Sequence, residues 1–155
     1  MGAGKSTLAR RMAKDMNALL LSEDEWLAAL FPGEIHGLAD YIKYSRRLKP
    51  VLGAHVRDIL KSGLPVVMDF PANTVTQRNW FREIFEPDGM DHLLIYLDVD
   101  DATCIRQVAA RASADPARAR FDTEAMFRQV TGHFQPPTEQ EGFNIRVVAS
   151  AGSGG

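Results

Sequence analysis

Met1-Gly2-Ala3-Gly4-Lys5-Ser6-Thr7 opens the chain, and its Gly4-Lys5-Ser6 is the end of a phosphate-binding loop of the form GxxxxGK[ST]. Counted back from Gly4, the first glycine of that motif would lie two residues upstream of Met1. The strand that should feed the loop is expected upstream as well. The half that is present has the chemistry of an anion cradle. Gly2, Ala3 and Gly4 let backbone N–H groups approach phosphate oxygens, and the helix beginning near Lys5 turns its positive dipole end toward the same anions. Lys5 would reach the terminal phosphates, Ser6 would place its hydroxyl on Mg²⁺, and Thr7 would add a first-turn donor. The helix that follows is amphipathic, with Leu8, Met12 and Met16 against Arg10, Arg11, Lys14 and Asp15. The alternative is a glycine-rich tail before an ordinary helix.

The 155 residues suit one domain, over residues 1–148, with a Gly/Ser-rich tail at 149–155. A hydrophobic fraction of 45% and a formal net charge of -2 are those of a globular protein with no general pull toward nucleic acid or acidic membranes. The single Cys104 favours a reducing compartment, and with no apolar N-terminal run the expected location is the cytoplasm. The histidines at 36, 55, 92 and 133 are too scattered for a metal site.

Short apolar runs alternate with helical patterns. Residues 18–21 read as a buried parallel strand that delivers Asp24 to its C-terminal end, and Ser22 with Glu25 forms a capping-box pattern for the next helix. Residues 38–62 read as a helix with apolar positions that include Tyr41, Tyr44, Leu48, Leu52 and Val56, interrupted or kinked at Pro50. Its other face carries Lys43, Arg46, Arg47, Lys49, Arg57 and Lys61, which either hold an anionic substrate or are simply solvated. Leu64-Pro65-Val66-Val67-Met68-Asp69 is a second buried strand ending in a carboxylate, the form of a Walker B strand whose Asp69 serves Mg²⁺. Its bland alternative is a helix cap.

A helix through about residue 85 carries Arg78 in its first turns, where a cation opposes the helix dipole and so hints at a bound anion. Residues 92–99 read as a third strand, and Asp100 and Asp101 as caps of a helix that reaches Arg106 and Arg111. Residues 114–120, with Arg118 and Arg120, form a basic, Pro-interrupted segment that reads as a lid bringing an arginine onto the transferring phosphate, or as a solvated loop. A helix capped by Asp122 and a final strand at 144–148 close the pattern.

This order predicts a three-layer α/β fold with a parallel sheet, ligands lying at the strands' C-terminal ends. Gly4-Lys5-Ser6, Asp24 and Asp69 all fall there. A phosphate cradle, a carboxylate for magnesium and a carboxylate at an open rim are the parts of a phosphoryl transfer from ATP to a hydroxyl, with Asp24 accepting the proton. Helix capping is the alternative for Asp24.

Through MGAGKST, LSEDEWL, VVMDFPANTVTQR, LIYLDV and FQPPTEQEGF, the chain resembles the P-loop kinase-like ATP-binding proteins often labelled AAA family ATPases. Their kin include polynucleotide 5'-hydroxyl kinases, gluconate-type kinases, chloramphenicol phosphotransferase and zeta toxins. The resemblance implies a P-loop NTPase sheet in the order 2-3-1-4-5, whose central first strand is missing from this sequence. It implies Asp24 as the substrate-side base, Arg78 near the acceptor or its phosphate, and Arg106 to Arg120 as lid, with Arg111 and Arg118 on the nucleotide. Expected ligands are ATP, Mg²⁺ and a small-molecule or nucleotide hydroxyl acceptor. A nucleic-acid acceptor is less favoured, a membrane is not expected, and the chain should be a monomer or weak dimer. A nucleotide-binding switch, a weak ATPase and a binding-only pseudo-kinase are the competing readings.

Overall fold

The computed structural model describes residues 1–114 and 122–149. They form six α-helices, α1 (Lys5–Asp15), α2 (Glu23–Leu30), α3 (Leu38–Lys61), α4 (Val75–Phe85), α5 (Asp101–Ala114) and α6 (Glu124–Thr131), together with a 3-10 turn at Glu139–Glu141. The strands are β1 (Leu19–Ser22), β2 (Val66–Asp69), β3 (Leu94–Asp98) and β4 (Ile145–Ala149). The chain is thus α/β with parallel strands, as its alternation predicts.

β1 pairs in parallel with β2 from Leu19 opposite Val66 to Ser22 opposite Asp69. β3 pairs in parallel with β4 from Leu94 opposite Ile145 to Asp98 opposite Ala149. Taken as strands two to five of the order 2-3-1-4-5 that the resemblance implies, the four strands make pairings that are neighbours in that order. Neither β2 nor β3 pairs with a further strand among the described residues. A strand with one neighbour lacks the cover that a central position supplies. Val66, Val67 and Met68 are accordingly half-buried, where a buried strand was expected, and residues 94–97 are half-buried too.

The contacts group the residues into two compact units. Among the described residues one comprises residues 1–5, 73–76, 92–114 and 122–149, the other residues 6–72 and 77–91. In the second, Leu21, Leu27, Tyr44, Leu48, Leu52, Val56, Phe70 and Ile84 form the core. α3 supplies half of it through Tyr44, Leu48, Leu52 and Val56, positions four apart that share one helix face. In the first unit, Cys104 and Val108 of α5 meet Phe127 of α6, with Met1, Ala3, Val99 and Ile105 packed around them.

Three local expectations are corrected. Pro50 does not break α3, which runs unbroken for 24 residues. Pro50 and Arg46 are both exposed, so the carbonyl that loses its N–H partner four residues on lies on a solvated stretch. The Ser22–Glu25 capping box does not form. Ser22 is the N-cap without a side-chain cap bond, and Glu25 instead meets Arg10 at 3.0 Å on the surface. α6 is capped by Thr123, whose hydroxyl accepts from the Met126 amide, and not by Asp122. A capping box does form where none was read, between Thr138 and Glu141. Asp100 accepts from the Thr103 amide at 2.8 Å and caps α5 as expected.

Candidate active site

In the first unit, the chain reaches α1 through two glycines with left-handed backbone, Gly2 at φ +74° and Gly4 at φ +81°. Their environments differ. A Cβ on Gly2 would lie 2.4 Å from the carbonyl oxygen of Cys104 and 2.9 Å from Val108, so Gly2 is where the loop presses on α5. A Cβ on Gly4 would meet nothing within 4 Å. Gly4 is exposed, as is Lys5, where α1 begins; Ser6 and Thr7 follow in its first turn. An open loop with left-handed glycines running into a helix N-terminus is suited to phosphate oxygens.

Arg111 belongs to the same unit and is engaged. Its Nε and Nη2 donate to the two carboxylate oxygens of Asp122 at 2.6 and 2.7 Å, and the Asp122 side chain is 1% exposed against 39% for Arg111. This fork pins the end of α5 to the start of α6. The lid reading falls mostly outside the described residues, Arg118 and Arg120 included; Arg106 donates to Thr103 Oγ1 on its own helix.

In the second unit, the pairing of Ser22 with Asp69 brings the C-terminal ends of β1 and β2 side by side. Asp69 is buried there, and Asp24 stands exposed in the first turn of α2. Glu23, immediately before Asp24 in sequence, is fully buried, and it organises the site. Its Oε1 accepts from Ser45 Oγ at 2.6 Å and its Oε2 from Tyr41 Oη at 2.6 Å. The Tyr41 hydroxyl also lies 3.1 Å from Oδ1 of Asp24, so one phenolic proton serves two carboxylates. Burial first, then the charges of Asp24 and Glu23, push the Tyr41 pKa far above its ordinary value and keep that proton in place. Arg78 is fully buried, with Nη1 donating to the Ala72 carbonyl at 2.8 Å.

Glu23, Tyr41 and Ser45 are the residues that sequence reasoning missed. Tyr41 reads as one more apolar position of α3, yet its hydroxyl is its working end. The signal was the spacing of Tyr41, Ser45 and Lys49, which places three polar groups on one stripe of a helix otherwise committed to the core.

Among the described residues no group of His, Cys, Asp or Glu could hold a metal ion by itself, and no helix is long and apolar enough to cross a membrane. A magnesium site sharing ligands with a nucleotide needs fewer protein ligands, and the oxygens of Ser6 and Asp69 suit a hard cation. No curated protein matches the chain significantly. The family model described as AAA domain matches residues 1–137. The left-handed glycine loop, the helix opening at Lys5 and the paired parallel strands ending in Ser22 and Asp69 suit a phosphate-loop nucleotide-binding protein, and the chain belongs to this AAA domain family.

Proposed function

We propose that the chain is an ATP-dependent phosphotransferase that moves a phosphoryl group to a hydroxyl of a small molecule or nucleotide. The observation that carries this reading is the exposed carboxylate of Asp24, which accepts from Tyr41 just after β1, whose last residue Ser22 pairs with the buried Asp69. A switch has no need of a second, solvent-facing carboxylate oriented by a buried network, and a hydrolase using it on water is separated from a kinase by whether an acceptor becomes labelled.

The residues present fit ATP and Mg²⁺. Gly4 leaves open space, Lys5 brings a cation to the start of α1, and Ser6 and Asp69 are oxygen donors for the metal. When bound, ATP with Mg²⁺ supplies the phosphoryl group and offsets the charge that develops on it. The rest falls to the chain's own groups. The loop amides and Lys5 orient the phosphates, and Asp24 takes the acceptor's hydroxyl proton on a carboxylate oxygen. Tyr41 cannot compete for that proton, because its own is retained.

The test is Asp24→Asn, assayed with γ-labelled ATP against a panel of metabolites and oligonucleotides. ATP affinity should stay within about twofold, while transfer should fall by about 10²- to 10⁴-fold, the usual worth of a general base. Transfer at the wild-type rate in the Asn variant would sink the proposal, and so would hydrolysis with no acceptor in the panel labelled.

A further inference from the structure

A groove of about 450 Å³ lies between α3 and α4 in the second unit. Its lining includes three cations, Arg46, Lys49 and Arg57, and one carboxylate, Glu83. Trp80 forms its aromatic wall, with Gly53 facing the ring edge: a Cβ there would stand 3.3 Å from the indole Nε1. The absence of a side chain at Gly53 is what lets Trp80 sit against the helix backbone.

The cations are not spent on one another's partners. Neither Arg46 nor Lys49 makes a salt bridge with a described residue, although Lys49 is half-buried and its ammonium rests 5.1 Å from the centre of the Trp80 ring. Burial lowers the Lys49 pKa, and the charge of the buried Glu23 offsets that only in part. Arg57 reaches Asp88 with Nη2 at 3.0 Å, but its Nε is buried without a hydrogen-bond partner among the described residues. A half-buried lysine beside an arginine that makes no salt bridge with a described residue is a pair that an anion in the groove would stabilise.

We propose that this groove is a second anion site, taking a soluble phosphate-bearing molecule about the size of one nucleotide. The volume lies within the range of small-ligand sites, and the net charge of the lining is positive by three cations against one carboxylate. Arg46 and Lys49 supply the charge that meets the phosphate, and Trp80 an apolar wall for the organic part. The groove shares no lining residue with the phosphate loop and does not depend on the phosphotransferase reading.

Inorganic pyrophosphate is the probe, titrated without Mg²⁺ into the full chain while the two indole N–H signals are followed by NMR, that of Trp80 assigned with Trp80→Phe. The Trp80 signal should shift saturably, and the shift should persist in Lys5→Ala, which disables the loop. Arg46→Gln with Lys49→Gln should weaken binding by about tenfold or more, the worth of a charge-assisted contact. Glu83→Gln should tighten it, a gain that an unfolded variant could not produce. An unmoved Trp80 signal overturns the proposal. So does binding that vanishes in Lys5→Ala while ignoring the Arg46 and Lys49 changes, since the anion would then belong to the loop.

Discussion

The hydroxyl of Tyr41 lies 3.1 Å from Oδ1 of Asp24 while donating at 2.6 Å to the fully buried Glu23. Tyr41 of the long helix α3, 17 residues from Asp24 in sequence, thus ties that exposed carboxylate to the buried one of the adjacent Glu23. The side chain that would take a proton is held by one that cannot give up its own.

Tyr41→Phe removes that tie and leaves both carboxylates. Stability should drop by about 1–3 kcal/mol in urea denaturation, because Glu23 loses one of its two hydroxyl donors inside the protein. Phosphoryl transfer should fall by about tenfold in kcat with ATP affinity unchanged, since Asp24 keeps its charge and loses its orientation. A variant that loses stability but keeps its kcat would make Tyr41 a purely structural residue.

Alkaline stability should report the same phenol. The ordinary tyrosine pKa is 10.0, and burial, then Asp24 and Glu23, raise that of Tyr41 well above it. The folded state therefore keeps a proton that the unfolded chain releases. Stability from this group is full below about pH 10 and declines as pH climbs above it, by at most about 1.4 kcal/mol per pH unit. Tyr44 and Tyr96 are raised too and remain in both proteins, so the measurement is a comparison. The alkaline limb should be shallower in Tyr41→Phe than in the wild type, and parallel limbs would refute the assignment.

The fork between Arg111 and Asp122 should be asymmetric to mutation. Arg111→Ala strips a 1% exposed carboxylate of its bidentate partner and should cost about 3 kcal/mol. Asp122→Ala releases a guanidinium that is already 39% exposed and can turn to water, so its cost should be smaller. Chemical denaturation of the two variants decides the order. The reverse order would show that the Asp122 carboxylate has ample support without the arginine.

The two loop glycines should separate in the same way. Gly4→Ala places a Cβ in open space and costs only its left-handed backbone, about 1–2 kcal/mol. Gly2→Ala adds a clash with the Cys104 carbonyl at 2.4 Å and should destabilise more. Equal costs in thermal unfolding would mean that α5 yields readily to the loop.

Much of this protein is legible in one dimension. The loop from Gly2 to Thr7, the alternation of strand and helix, and the carboxylates ending two apolar runs are local patterns, because backbone conformation and hydrophobic period are set by neighbours in sequence. Asp24 and Asp69 could be placed at strand ends for that reason. Tertiary structure decided what lies around them. It buried Glu23, gave Tyr41 two carboxylates to serve, committed Arg111 to Asp122, and assembled a cationic groove from side chains of α3 and α4. It also kept α3 whole through Pro50. Such outcomes depend on which helix faces meet across tens of residues. A tyrosine or arginine has the same local preferences whether its polar end meets water, a carboxylate or nothing, so the choice is made only when the chain closes around it.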